Sequence, residues 1–117
     1  NLYKIAPRKG GNPSEAWQKM QREACVELLH AEIEFFNPTH ILFMTGTDWF
    51  QPFRGMFQEV TELGVNHPSK KDANTVYAGL LAAYKAQNGI RSKVIVACRP
   101  EMREKHAYVA QVSKFLR

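Results

Sequence analysis

The period at which apolar residues recur changes several times along the chain, and each period predicts an element. Leu2 to Ala6 is a short, mostly apolar run that predicts a strand, and Pro7 to Gly11 is a basic, glycine-bearing loop. Trp17, Met20, Ala24, Leu28, Ala31 and Phe35 then recur every three to four residues, with Cys25, Leu29, Ile33 and Phe36 beside them. That spacing predicts a helix with a wide apolar stripe, suited to packing on a sheet. Asn12 is the expected cap, Pro13 suits the first helical position, and Glu15 sits where a capping-box carboxylate reaches back. Asn37-Pro38 ends the helix near Phe36, because proline disfavours helical backbone in the residue before it.

His40 to Thr45 is a continuous apolar run between Pro38 and Gly46, the pattern of a strand covered on both faces. Gly46 to Phe50 turns the chain into a short helix stopped by Pro52, and Phe57 to Leu63 predicts a strand with Val60 and Leu63 inward. Gly64 to Asn74 is a polar loop. Thr75 to Gln87 is rich in alanine and leucine, which favours helix by propensity, while its length and position fit a hairpin strand; strand is preferred. Asn88-Gly89 is a turn, Lys93 to Cys98 a second buried strand, and Pro100 opens a last helix. Ala107, Val109, Val112, Phe115 and Leu116 are its expected apolar face. Buried strands alternating with helices predict an α/β fold, a mainly parallel central sheet with helices packed on it. Functional groups in such sheets gather at the carboxyl ends of the strands: here Ala6-Pro7, Gly46-Thr47-Asp48-Trp49 and Arg99-Pro100-Glu101.

Composition narrows the class. The chain has 117 residues, 44% of them hydrophobic and 23% charged, which fits one globular domain. No apolar run approaches the roughly 20 residues that span a bilayer, so no membrane role is expected. Two isolated cysteines, Cys25 and Cys98, make neither a disulfide framework nor a zinc site and point to an intracellular, cytoplasmic setting. The abrupt opening on a strand-like run leads to the expectation of further sequence before Asn1, and a sheet lacking that sequence would expose an edge and self-associate. Sixteen basic against eleven acidic residues give a net charge of +5, compatible with a polyanion partner.

Together, N-L-Y-K-I-A-P, G-N-P-S-E, the helical A-C-V-E-L-L, N-P-T-H-I-L-F-M-T-G and V-I-V-A-C-R-P-E-M-R resemble, in order, the later part of uracil-DNA glycosylases. The resemblance implies a three-layer fold that binds DNA and hydrolyses the N-glycosidic bond of a flipped base. It assigns Asn1 to reading the base edge, since an amide offers a donor and an acceptor together. Three departures bear on activity. The family's water-activating motif lies upstream of the matching stretch. Only Cys25 matches the four cysteines of the iron–sulfur branch, so no cluster and no cofactor is expected. Arg99-Pro100-Glu101 stands where the family has His-Pro-Ser, and His67-Pro68-Ser69 spells that triplet in a different place.

Arg99, Arg103 and Lys105 are the expected DNA-backbone contacts, with Arg99 also placed to neutralise a leaving anion; a solvated helix start is the plainer alternative. Arg8 and Lys9 form a second basic loop suited to phosphate. Asp48 is the candidate carboxylate for positioning water, or else a helix cap. Trp49 and Phe50 could stack on a base or fill core. His30, His40 and His106 show no metal-ligand spacing, and no metal is expected. Two other functions fit the same residues: a non-catalytic DNA- or protein-binding module of this fold, and an unrelated α/β enzyme acting on a small phosphorylated metabolite.

Overall fold

The computed structural model describes residues 2–63, 77–101 and 105–117. Its contacts cluster into two compact units, Asn1–Phe36 and Asn37–Arg117.

The N-terminal unit is a segment without helix or strand, followed by one long helix, α1, Glu15–Phe36. The helix and its cap both begin two residues later than expected. Ser14 Oγ, not Asn12, accepts the Trp17 N–H at 3.3 Å, and the Gln18 side chain donates back to the Pro13 carbonyl at 2.9 Å. Asn37 closes the helix in the left-handed region at φ 52°, a conformation asparagine tolerates, and Pro38 prevents continuation. Leu2 to Ala6 is not a strand, and Tyr3 lies at a bend. A side chain takes the place of a neighbouring strand. The Gln21 amide oxygen accepts the Lys4 and Ile5 N–H groups at 3.1 and 2.9 Å, and its nitrogen donates to the Ile5 carbonyl at 2.9 Å. Tyr3 Oη accepts from Arg22, and Lys4 pairs with Glu32 at 3.0 Å.

The buried positions of α1 are Gln21, Cys25, Leu29 and Ile33, one row at steps of four. The stripe through Trp17, Met20, Ala24, Leu28, Ala31 and Phe35 is exposed instead. Apolar periodicity alone does not decide between the two rows. The amide of Gln21, polar and so discounted by a hydrophobicity count, is the group that the backbone of residues 4–5 requires inside.

The C-terminal unit is built on a four-stranded mixed sheet: β1, His40–Phe43; β2, Gln58–Glu62; β3, Ala78–Lys85; β4, Arg91–Ala97. The spatial order is β1-β4-β3-β2. Only β1 and β4 are parallel; β4 with β3 and β3 with β2 are antiparallel, so the sheet is not mainly parallel among the described residues. The reason is local. Ala86 to Ile90 closes a hairpin, with Gly89 N–H bonded to the Ala86 carbonyl at 3.0 Å, Ile90 N–H to Asn88 Oδ1 at 3.0 Å, and Gly89 at φ 85°. A turn of this kind forces adjacent antiparallel strands. It also settles the ambiguous alanine-rich run as strand, since β3 is buried on both faces against its partners.

Register divides the sheet into two faces. Phe43, Val94, Val96, Leu80 and Tyr84 share one. There Phe43, Phe50 and Phe57 stack at 5.1–5.6 Å between ring centres, and Phe57 meets Tyr84 at 6.0 Å. Phe50 comes from a short helix, α2, Thr47–Phe50, which runs into a 3-10 helix, Gln51–Met56. Pro52 opens that 3-10 helix and does not stop the chain's helical turn. On the other face the final helix, α3, Lys105–Phe115, buries Tyr108 and Val112 against Tyr77, Ala97 and Cys98. Ala107 and Leu116 flank that cluster as expected, while Val109 is exposed and Tyr108 takes the inward position. Tyr108 turns inward because its hydroxyl has a buried acceptor, the Cys98 carbonyl at 2.7 Å.

Candidate nucleic-acid interface

The parallel pairing of β1 and β4 brings two of the expected strand ends together. Lys93 N–H meets the Thr39 carbonyl at the start of the pair, and Gly46 N–H meets the Ala97 carbonyl at its end, both at 2.9 Å. The loop after β1 and the segment after β4 therefore leave the sheet side by side. Gly46 adopts φ 80° and is itself the cap residue of α2, with no side-chain capping bond. Asp48 is thus not the cap. It lies in the first turn of α2 with its side chain exposed. Phe50 is fully buried core, which removes it from any base-stacking role, and Trp49 is half-buried.

The β4 end is held firmly up to the residue before the basic group. Cys98 N–H donates to the Tyr77 carbonyl at 2.9 Å, Cys98 O accepts from Tyr108, and Tyr77 N–H donates to Gln111 Oε1 at 2.9 Å. Both backbone groups of Cys98 are thereby fixed between strand and helix. Arg99, Pro100 and Glu101 follow directly and are exposed. Lys105, the first residue of α3, is exposed as well, and that first turn has no acidic residue. Arg103 lies outside the described residues, as do Asn1 and the His67-Pro68-Ser69 triplet with Lys70 and Lys71.

Arg8 and Lys9 occupy the turn closed by Gly10 N–H on the Pro7 carbonyl at 3.0 Å, in the N-terminal unit, and both are exposed. Gly10 and Gly11 each sit at φ 86°, which fixes a sharp reversal there. The loop does not follow a strand end.

The C-terminal unit also holds a groove that the sequence did not announce. A groove of about 420 Å³ is lined by Thr39, Glu59, Leu81, Ala83, Arg91, Lys93 and Phe115. Glu59 sits in an irregular stretch of β2 at φ 52°, and its carboxylate pairs with Arg91. Lys93 donates to the Arg117 carbonyl at 3.1 Å. The sequence signal for it was the alternation of Arg91 and Lys93 on one face of β4, with Ser92 and Val94 on the other.

Among the described residues no three His, Cys, Asp or Glu side chains gather as a metal site. Cys25 and Cys98 are both buried free thiols. No helix among the described residues is long and apolar enough to cross a membrane. No protein-family model, no curated protein and no solved structure matches the chain.

Proposed function

We propose that the chain is a DNA-binding domain of the uracil-DNA glycosylase type, which holds the phosphate backbone at the carboxyl ends of β1 and β4 and excises a flipped base. The observation that carries this reading is the bond from Gly46 N–H to the Ala97 carbonyl, which sets the Asp48 loop beside the exposed Arg99. An arginine on a strand end whose backbone is fixed at Cys98 keeps less freedom than one on a loose loop, and a guanidinium takes a phosphate through two parallel bonds. Lys105 adds charge at the start of α3, and the net charge of +5 supports attraction to a polyanion.

The remaining assignments rest on the sequence resemblance. The sheet is read as the centre of a three-layer domain, with β1–β4 as part of its parallel core and the β2–β3 hairpin added at one side. Asn1 reads the base, Arg103, Arg8 and Lys9 contact the backbone, and Asp48, in the loop that follows β1, positions the water. A setting inside the cell follows from this reading.

A second reading is a module of the same fold that binds DNA without cutting it. The exposure of Asp48 favours it, because a carboxylate in open solvent gains no desolvation for general-base work. Incubation with a uracil-containing single-stranded oligonucleotide, followed by alkaline cleavage of abasic sites, separates the two. A cut at the uracil supports excision. Salt-sensitive binding without a cut supports the binding module, and neither binding nor cutting overturns the DNA assignment.

A further inference from the structure

The exposed stripe of α1 is an apolar feature of the described residues without a role in the reading above. At about 100° per residue, Trp17, Met20, Ala24, Leu28, Ala31 and Phe35 fall within about 80° of one another. Trp17 is 43% exposed, Met20 72%, Leu28 48% and Phe35 82%. The buried row Gln21, Cys25, Leu29 and Ile33 lies about a third of a turn away, so the apolar stripe stands apart from it and is open. Spacings of three and four along the open row match the seam that one helix offers another. Large residues stand at its two ends and small Ala24 and Ala31 between them, which leaves shallow seats for a partner's side chains.

Charge says what kind of helix fits. Glu23 and Glu27 run along one edge of the stripe, both exposed, four residues apart on the same helix. Like charges at that spacing repel mildly. The helix as a whole carries five glutamates, Glu15, Glu23, Glu27, Glu32 and Glu34, against Lys19 and Arg22, in a chain of net charge +5. A second copy of α1 laid antiparallel on the stripe would set the Glu23/Glu27 edge against itself. A helix with lysine or arginine along its flank would be drawn to the same edge.

We propose that this face of α1 docks an amphipathic helix of a partner protein, seating leucine-like side chains on the stripe and basic side chains against Glu23 and Glu27. The probe is a synthetic helix of about three heptads with leucine at the seam positions. One version carries lysine at the flanking positions and a second carries glutamate. Each is titrated calorimetrically into the full chain. The lysine version binds more tightly by about fivefold or more, the scale of two rim ion pairs. In the double variant Glu23→Lys/Glu27→Lys the preference reverses; both sites are exposed, and unchanged far-UV circular dichroism confirms that the variant is folded. Equal affinity for the two peptides, tighter binding of the glutamate version, or binding of neither overturns the proposal. So does sedimentation showing that the chain dimerises and that Leu28→Asp abolishes the dimer, since a second copy then covers the face.

Discussion

Replacing Gln21 by methionine tests the role of one buried amide in holding the start of the chain. Methionine keeps the length and volume of the side chain and removes its polar atoms. Three bonds to the backbone are lost: those from the Lys4 and Ile5 N–H groups and the one to the Ile5 carbonyl. A typical net contribution is about 1 kcal/mol per bond, which sums to about 3 kcal/mol if all three backbone groups stay dry. They do not stay dry, because Ile5 is 54% exposed and water can replace part of the bonding once the segment lifts. A loss of about 1–2 kcal/mol is therefore expected, located in the segment and not spread over the molecule.

Amide hydrogen exchange reads this directly. Protection at Lys4 and Ile5 should fall by about 5–30-fold, the factor that corresponds to 1–2 kcal/mol, while the amides of β3 and β4 keep theirs. Unchanged exchange at Lys4 and Ile5 would refute the idea that Gln21 stands in for a strand. An equal loss of protection at Val94 and Ile95 would show instead that the amide supports the whole chain and not the segment.

Other perturbations address the strand ends. Tyr108→Phe leaves the buried Cys98 carbonyl without its 2.7 Å donor and should cost about 1–3 kcal/mol in urea denaturation; no change in midpoint would mean that the bond contributes nothing net. Gly89→Val places a β-branched residue at φ 85° in the β3–β4 turn and should destabilise by about 1–2 kcal/mol, with Gly89→Asn costing clearly less; equal melting of the two would refute a backbone origin. Arg99→Ala should weaken oligonucleotide binding and lower the slope of log K against log salt by about one, whereas an unchanged slope would remove Arg99 from the phosphate contacts.

The elements set by short-range chemistry were legible in the sequence. The β3–β4 turn follows from Asn88-Gly89, the end of α1 from Asn37-Pro38, and β1 and β4 from unbroken apolar runs. What was misread came from a general rule set above local signals, or from a partner outside the element itself. Alternating strands and helices suggest a mainly parallel sheet, whereas the turn at Asn88-Gly89 sets β3 antiparallel to β4. Tyr108 displaced Val109 from the inner face of α3 because a carbonyl ten residues earlier offered its hydroxyl a partner. The candidate site divides along the same line. The strand-end placement of Arg99 and the Asp48 loop was readable, since strand ends follow from strand boundaries. That Gly46 caps α2 and leaves the Asp48 carboxylate in solvent was not, because it depends on the positive φ of Gly46.

The row of α1 that faces inward shows how a polar residue can decide what apolar periodicity cannot. Two rows at helical spacing compete there, and the more hydrophobic one, with Trp17, Met20, Leu28 and Phe35, is outside. Burial of that row would gain more by area alone, at about 25 cal/mol per Å². It would also turn Gln21 away from Lys4 and Ile5 and leave their backbone groups to find other partners. Three satisfied bonds and a buried thiol, Cys25, whose Sγ lies 3.4 Å from the same amide oxygen, fix the rotation of the helix about its axis. The exposed apolar row is then a consequence of that choice. A Gln21→Leu variant, which makes both rows apolar, removes the polar constraint on the rotation. If the amide is what sets it, Trp17 emission in that variant should shift to shorter wavelength as the outer row turns towards residues 2–6, with Trp49→Phe in the background to isolate the signal. An unshifted spectrum would place the determinant in Cys25, Leu29 and Ile33 instead.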